Sequence, residues 1–379
     1  MHKVTCVVGT RPEAIKMAPV IRVLRENGNF DVTVLATGQH TDMLVQALSH
    51  FCIKADVNLN IMRRRQSLDH ITSSVLTGVG SFLDGAPQDM ILVHGDTSTT
   101  LAAALAAFYR HIPIGHVEAG LRSHNMALPF PEEANRVLTD RLASLYFTPT
   151  ESDAENLRRE GVDPRRIHVT GNTVIDALFW TLENLAQPEV LRELPPETPL
   201  VLMTAHRRES WGEPLMRICS AVSELIQQRP YVRVLVPLHK NPEVRDRIQE
   251  RLGMYPQMLF TEPLSYPDFV SAMNRSLFIL TDSGGIQEEA TALRKPVLIM
   301  RTLSERPEAV TLGTGVLVGT ERETILRESL RLLDDAAYRR SFSDRGMPFG
   351  DGTASPRIRD VIGRFFNSGT DEDWEIDLK

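Results

Sequence analysis

Disulfide chemistry, membrane spans and the familiar nucleotide-loop signatures are all missing from this 379-residue chain. Its three cysteines, Cys6, Cys52 and Cys219, are far apart and form no CxxC pair, which excludes a disulfide framework and fits a reducing compartment. The longest helical apolar run, residues 101–108, is too short to cross a bilayer. Met1-His2-Lys3-Val4 leads directly into a strand pattern, not a signal peptide, so a soluble cytoplasmic protein is expected. There is no GxGxxG fingerprint, no Walker A loop, no HExxH and no Cys/His cluster, so neither a dinucleotide site nor a zinc site is indicated. Net positive charge is also lacking: the formal charge is −7, which argues against nucleic acid or an acidic membrane as the main partner, while leaving room for a local basic pocket.

What is present is an ordinary globular composition, 42% hydrophobic and 24% charged, in a chain too long for one core, so two domains are expected. Strand and helix signals alternate from the first residues. Strands are predicted at 4–8, 32–36, 90–94, 114–118, 145–148 and 167–169, with helices at 14–25, 41–51, 68–83, 97–110, 132–143 and 151–160. Residues 187–199 carry Pro188, Pro195, Pro196 and Pro199 among charges and read as a surface connection. The pattern then restarts, with strands at 200–204, 232–237, 258–260, 277–281 and 297–300, separated by helices. Repeated βαβ units predict an α/β fold of two Rossmann-like, doubly wound domains, with a cleft at the carboxyl ends of their strands.

The chemistry-bearing residues cluster just after strands. Gly9-Thr10-Arg11-Pro12-Glu13 follows the first, with the spacing of a capping box and a proline in the first helical turn. Such a helix start is an anion site, to which Arg11 and Lys16 add positive charge, although a plain βα turn with solvated cations reads the same way. Asp96, Glu118 and Glu132 sit after the third strand, at the end of the fourth and at a helix start. On one rim they would raise at least one carboxyl pKa, as general acid–base chemistry needs; Asp96 and Glu132 could equally stabilise helix N-termini. In the second half, His206 follows a strand as a candidate acid–base or phosphate donor, or as a loop histidine beside solvated arginines. Thr281-Asp282-Ser283-Gly284-Gly285 joins a strand to a helix and suits a diphosphate, with Glu288 or Glu289 placed to take a ribose diol and Arg306 as a further cation.

Together these runs resemble the bacterial non-hydrolysing UDP-N-acetylglucosamine 2-epimerases. The resemblance rests on GTRPEAIKMAP (9–19), LVHGDT (92–97), GHVEAGLRS (115–123), PFPEEANR (129–136), GNTVIDAL (171–178), HRRES (206–210), TDSGGIQEEA (281–290) and ERPEAV (305–310), in the family's order across nearly the whole chain. The chain departs from the pattern at Ser123-His124-Asn125, at Leu128 and at Arg301-Thr302-Leu303-Ser304. The resemblance implies a GT-B fold: residues 1–170 as the first domain, 171–354 as the UDP-binding domain, a helix at 355–367 crossing back, and an acidic tail at 368–379. It further implies a homodimer needing neither nicotinamide nor metal. The implied reaction is epimerisation at C2 of UDP-GlcNAc to UDP-ManNAc through elimination and re-addition of UDP, in support of surface polysaccharide. Asp96, Glu118 and Glu132 would be the acid–base groups and His206 would assist the leaving UDP. Arg11, Lys16, Ser283, Gly284, Gly285 and Arg306 would address the diphosphate end, Glu289 the ribose and Phe269 the uracil. A second, regulatory UDP-GlcNAc site would draw on Gln39, His40, Arg65, Gln66, Arg207 and His239.

Overall fold

A computed structural model of the chain describes all residues except 39–40, 62, 64–65, 186–188, 193, 208–209, 240, 305 and 368–379. The chain divides into two units, Met1–Ala177 with Phe349–Lys379, and Leu178–Pro348. The first is built from β1 (His2–Val8), α1 (Arg11–Glu26), β2 (Phe30–Ala36), α2 (Thr41–His50), β3 (Val57–Asn58), α3 (Leu68–Gly85), β4 (Met90–His94), α4 (Ser98–Phe108), β5 (Ile114–Val117), α5 (Glu132–Leu142), β6 (Leu145–Thr148), α6 (Glu151–Arg159) and β7 (Ile167–Val169). Helix α7 (Thr173–Glu183) starts in this unit and runs into the second.

The second unit continues with α8 (Glu189–Arg192), β8 (Leu200–Thr204), α9 (Glu213–Gln228), β9 (Arg233–Pro237), α10 (Pro242–Leu252), β10 (Met258–Thr261), α11 (Tyr266–Arg275), β11 (Phe278–Thr281), α12 (Gly284–Ala292), β12 (Val297–Ile299), α13 (Pro307–Thr311), β13 (Gly315–Leu317), α14 (Arg322–Asp334) and α15 (Ala336–Ser341). The final helix, α16 (Ala354–Asn367), belongs to the first unit. There it packs on α1, and its Phe366 ring stacks on His2 at 4.0 Å.

The sheets have the orders β3-β2-β1-β4-β5-β6-β7 and β10-β9-β8-β11-β12-β13, with every described strand pair parallel. The expected α/β, doubly wound class therefore holds. Parallel strands covered on both faces must be apolar throughout, and β4, β6, β8 and β11 are buried along their whole lengths. Helix α4 approaches the first sheet with Ala102, Ala103, Ala104, Ala106 and Ala107, all fully buried, because small side chains allow close packing. Strands β3 and β13 and helices α7, α8, α13, α14 and α15 are absent from the elements predicted from sequence, α8 falling within the stretch read as a surface connection. In each sheet the strand order reverses once beside the first strand, between β1 and β4 and between β8 and β11. Ligands of open α/β sheets bind at such switch points, outside the carboxyl ends of the strands.

Candidate active site

The first unit's switch point is framed by the turns after β1 and β4. Thr10 caps α1 and accepts the Glu13 N–H, and the Glu13 carboxylate returns to the Thr10 N–H at 3.0 Å, which completes the capping box read from sequence. Glu13 does more than cap. It is 3% exposed, takes the Gly9 N–H, and accepts the Thr97 hydroxyl at 2.6 Å, which ties the β1 turn to the β4 turn. Burial pushes its carboxyl up to about 7, against the pull of those three donors. Gly9 is required here, since a Cβ would stand 2.6 Å from the Thr99 hydroxyl.

Lys16, one turn further along α1, meets Glu118 in an ion pair. Glu118 follows β5 with φ of 67°, a left-handed backbone that a non-glycine residue rarely adopts. The same Oε1 that meets Lys16 accepts the Asn172 amide at 3.0 Å, while Oε2 faces His94 Nε2 at 3.5 Å. His94 is 4% exposed, and burial drives its pKa down to about 3, so it stands beside Glu118 as a neutral ring.

Asp96, after the positive-φ Gly95, is held by α5: the Asn135 amide donates to its carbonyl at 2.9 Å and Arg136 meets its carboxylate at 2.6 Å. Burial raises the Asp96 pKa, with Glu118 and Glu132 adding to the rise and Arg136 opposing it. Glu132 lies in the first turn of α5, half-buried. The three expected carboxylates thus share one electrostatic neighbourhood, with Lys16 among them and Arg11 at the opening of α1. Among the described residues no group of three or more His, Cys, Asp or Glu could hold a metal ion.

Helix α5 organises this rim. Its buried face is polar, comprising Glu133, Asn135, Arg136, Thr139 and Asp140. Glu133 is 1% exposed and accepts the backbone N–H groups of Ser123 and His124, which fixes the loop that departs from the family pattern.

In the second unit the turns after β8 and β11 meet through Asp282, fully buried. Its Oδ2 accepts the N–H groups of His206 and Arg207, both at 2.9 Å, and Oδ1 lies 3.2 Å from His206 Nδ1. Burial works to raise the Asp282 carboxyl, but these bonds and the His206 ring hold it below the usual range. The result is an Asp–His pair whose imidazole is 38% exposed and stacks near His239 at 6.0 Å. Ser283, Gly284 and Gly285 open α12, and no side chain caps its first N–H groups. A Cβ at Gly285 would meet nothing within 4 Å, so neither packing nor backbone strain demands glycine, and the turn stays open to a close ligand. Glu288, 1% exposed, holds the Arg306 guanidinium, and Glu289 accepts the Tyr266 hydroxyl at 2.8 Å. Phe269 lies half-buried on α11, one turn after Tyr266.

Of the expected regulatory residues, Gln39, His40 and Arg65 lie outside the described residues, as do Arg208, Glu209 and Glu305 of the quoted motifs. Gln66 precedes the α3 N-cap Ser67, and Arg207 and His239 flank His206 in the second unit. Sequence reasoning passed over Asp282, Asn135, Arg136, Asp140 and Asn172 as site residues. Helix α5 gives no local signal of its buried polar face: Glu133, Arg136 and Asp140 recur at helical spacing, but Val137, Leu138 and Leu142 offer an apolar alternative to bury, and Leu138 is 48% exposed.

With this geometry in hand, likeness to known proteins is decisive. Residues 22–363 match the family described as UDP-N-acetylglucosamine 2-epimerase. The chain is 48% identical over 364 residues to the UDP-N-acetylglucosamine 2-epimerase of Yersinia pestis, covering 94% of this chain and 97% of that one. The enzyme of the same name from Escherichia coli (strain K12) is 46% identical over 368 residues, covering 95% and 98%. The chain belongs to the UDP-N-acetylglucosamine 2-epimerase family. A crystal structure of the family's Neisseria meningitidis member, bound to UDP-GlcNAc, superposes with a TM-score of 0.89 at 45% identity, covering 96% of this chain and all of that one. The two doubly wound units are accordingly those of the GT-B fold shared by this epimerase family.

Proposed function

We propose that this protein is a non-hydrolysing epimerase that interconverts UDP-GlcNAc and UDP-ManNAc by eliminating and re-adding UDP. The observation that carries the reading is the Asp96–Glu118–Glu132 carboxylate set beside Lys16, on the rim of a chain that belongs to this family. The C2 proton of the sugar has no adjacent carbonyl and is barely acidic. Departure of UDP from C1 gives the ring oxocarbenium character and acidifies C2–H. A carboxylate takes that proton as the C1–O bond breaks, leaving 2-acetamidoglucal and UDP. UDP oxygen then re-forms the bond to C1 while a second carboxyl delivers a proton to the opposite face of C2, so atoms and charge balance.

The environments divide the labour. Glu118, paired with Lys16 and accepting the Asn172 amide, suits the base. Asp96, raised by burial and by its acidic neighbours, suits proton delivery, with Glu132 sharing the field. His206, oriented by Asp282 through Nδ1, presents Nε2 to the leaving diphosphate. The α12 start at Ser283, Gly284 and Gly285 and the Glu288-anchored Arg306 hold the phosphates, with Arg11 as a further cation, and Glu289 takes the ribose. Phe269 lies by the uracil. The family resemblance also supports a homodimer, a role in supplying ManNAc to surface polysaccharide, and regulation by UDP-GlcNAc through Gln39, His40, Arg65, Gln66, Arg207 and His239.

The test is an NMR time course of the protein with UDP-GlcNAc in D2O. UDP-ManNAc carrying deuterium at C2 is expected. Free ManNAc with UDP released would instead mark a hydrolysing epimerase. Absence of both exchange and new sugar, with UDP still bound, would overturn the epimerase reading in favour of a transferase.

A further inference from the structure

Behind the carboxylate rim lies a cluster that the reaction does not use directly. His116, Asp140 and the Arg122 side chain are 0%, 1% and 2% exposed. Asp140, near the end of α5, takes His116 Nδ1 on one oxygen at 2.6 Å; its other oxygen takes Arg122 at 2.7 Å and the Gly120 N–H at 3.2 Å. The far ring nitrogen of His116, Nε2, lies 2.8 Å from the Gly95 carbonyl. Arg122 turns its other edge to Glu160 in a two-point pair at 2.6 and 2.9 Å. Although burial works to raise the Asp140 carboxyl, His116 and Arg122 hold it well below the usual range.

The hydrogen-bond chemistry is restrictive. The Gly95 carbonyl can only accept, and an ionised Asp140 that already takes two N–H groups can only accept as well. Both His116 nitrogens must therefore donate, which makes the ring an imidazolium. Charges then balance, with His116 and Arg122 against Asp140 and Glu160. Buried ion clusters add little net stability over apolar packing of the same volume, so specificity of position is the better account of this one.

The two backbone groups it grips are telling. Gly95 immediately precedes Asp96, and Gly120 stands two residues after Glu118. Both glycines have positive φ, 68° and 84°; the Gly95 N–H meets the Val117 carbonyl at 2.9 Å, which leaves its own carbonyl to His116. A Cβ at Gly120 would lie 2.3 Å from the Asp153 carbonyl, so this turn accepts only glycine. We propose that Asp140, acting through a His116 ring that donates from both nitrogens, is the positioning residue that sets the spacing of Asp96 and Glu118. This rests on the roles given to those two carboxylates above. Asp140 and His116 are both buried, at 1% and 0% exposure.

The experiment is Asp140→Asn, read in three ways beside the unaltered protein. An asparagine keeps the shape but offers one acceptor oxygen where three donors converge. Turnover per folded molecule is expected to fall at least a hundredfold, with UDP affinity by calorimetry within threefold of the original. Ring 15N NMR of the unaltered protein at neutral pH is expected to show both His116 nitrogens protonated. Crystals of the variant are expected to show a changed Asp96–Glu118 carboxylate separation. Should the variant not fold, the ring signal of the unaltered protein still decides, since one bare His116 nitrogen overturns the proposal. A folded variant that melts lower but keeps its kcat also overturns it, because that is what a merely structural role gives. If the unaltered protein does not epimerise UDP-GlcNAc, the functional reading fails by itself, and the ring signal and carboxylate separation then judge the positioning claim.

Discussion

The two rims solve opposite electrostatic problems on the same scaffold. Each lies at the point where a doubly wound parallel sheet reverses its strand order, and each joins two βα turns through one buried carboxylate. In the first unit the turns gather negative charge, Asp96, Glu118 and Glu132, and the fold supplies Lys16, Arg136 and the polar face of α5 to hold it. In the second, the turn after β11 is stripped to Ser-Gly-Gly, and acids lie behind the cations and the histidine: Asp282 under His206, Glu288 under Arg306. The difference teaches that rim chemistry here is set from behind. A carboxylate tuned for proton transfer needs a neighbourhood that raises its pKa. A diphosphate cradle needs open N–H groups and donors that cannot swing away.

Four perturbations test this contrast, in descending order of expected effect. Asp96→Asn removes the proposed proton carrier from the acidic rim and should lower kcat by about a thousandfold, with UDP affinity in a calorimetric titration little changed. Near-normal turnover would remove Asp96 from the reaction. His206→Asn leaves the acidic rim intact but removes the donor proposed for the leaving diphosphate, and should lower kcat by roughly a hundredfold. Loss of UDP binding with unchanged kcat would reassign His206 to ground-state binding alone. Glu289→Ala should weaken UDP about tenfold, roughly the loss of one hydrogen bond to a charged group, and leave 2′,3′-dideoxy-UDP almost unaffected. Equal weakening of both ligands would free the ribose from Glu289.

The fourth perturbation concerns stability and pH. Burial raises the Glu13 carboxyl from an ordinary 4.5 to about 7, so the folded state holds its proton more tightly than the unfolded chain does. The stability this contributes is complete below 4.5 and is lost as pH rises through about 7. Glu13→Gln copies the protonated group, accepting from Gly9 and Thr10 and donating to Thr97. Its melting temperature should therefore fall less between about pH 5 and about pH 8 than that of the unaltered protein, a window taken from the raised carboxyl. An equally steep fall in both would place the titrating group elsewhere.

Much of this was legible in the residues. Apolar runs broken by glycine and followed by capping residues give parallel strands feeding helices, and the capping box at Thr10 and Glu13 is local chemistry that needs no partner. The carboxylates Asp96, Glu118 and Glu132 stood out because acids at strand ends are costly without a task. Other features were not legible for stated reasons. β3 and β13, two and three residues long, carry no periodic pattern of their own and exist as ladders on longer neighbours. Helix α5 reads as a solvent-facing helix, since its charged residues have the composition of a surface. Only packing against the turns after β4 and β5 turns that charge inward.

The sequence by itself determined the α/β class, the order of strands and helices and the turns on which the reactive side chains ride, because hydrophobic period and turn chemistry act over a few neighbouring residues. The tertiary structure alone decided which groups meet: Lys16 with Glu118, 102 positions apart, His206 with Asp282, 76 apart, and Asp140 with the turn after β5 directly and the turn after β4 through His116. A pKa, a tautomer or an ion pair depends on distance and desolvation, and these come into being only when the sheets form.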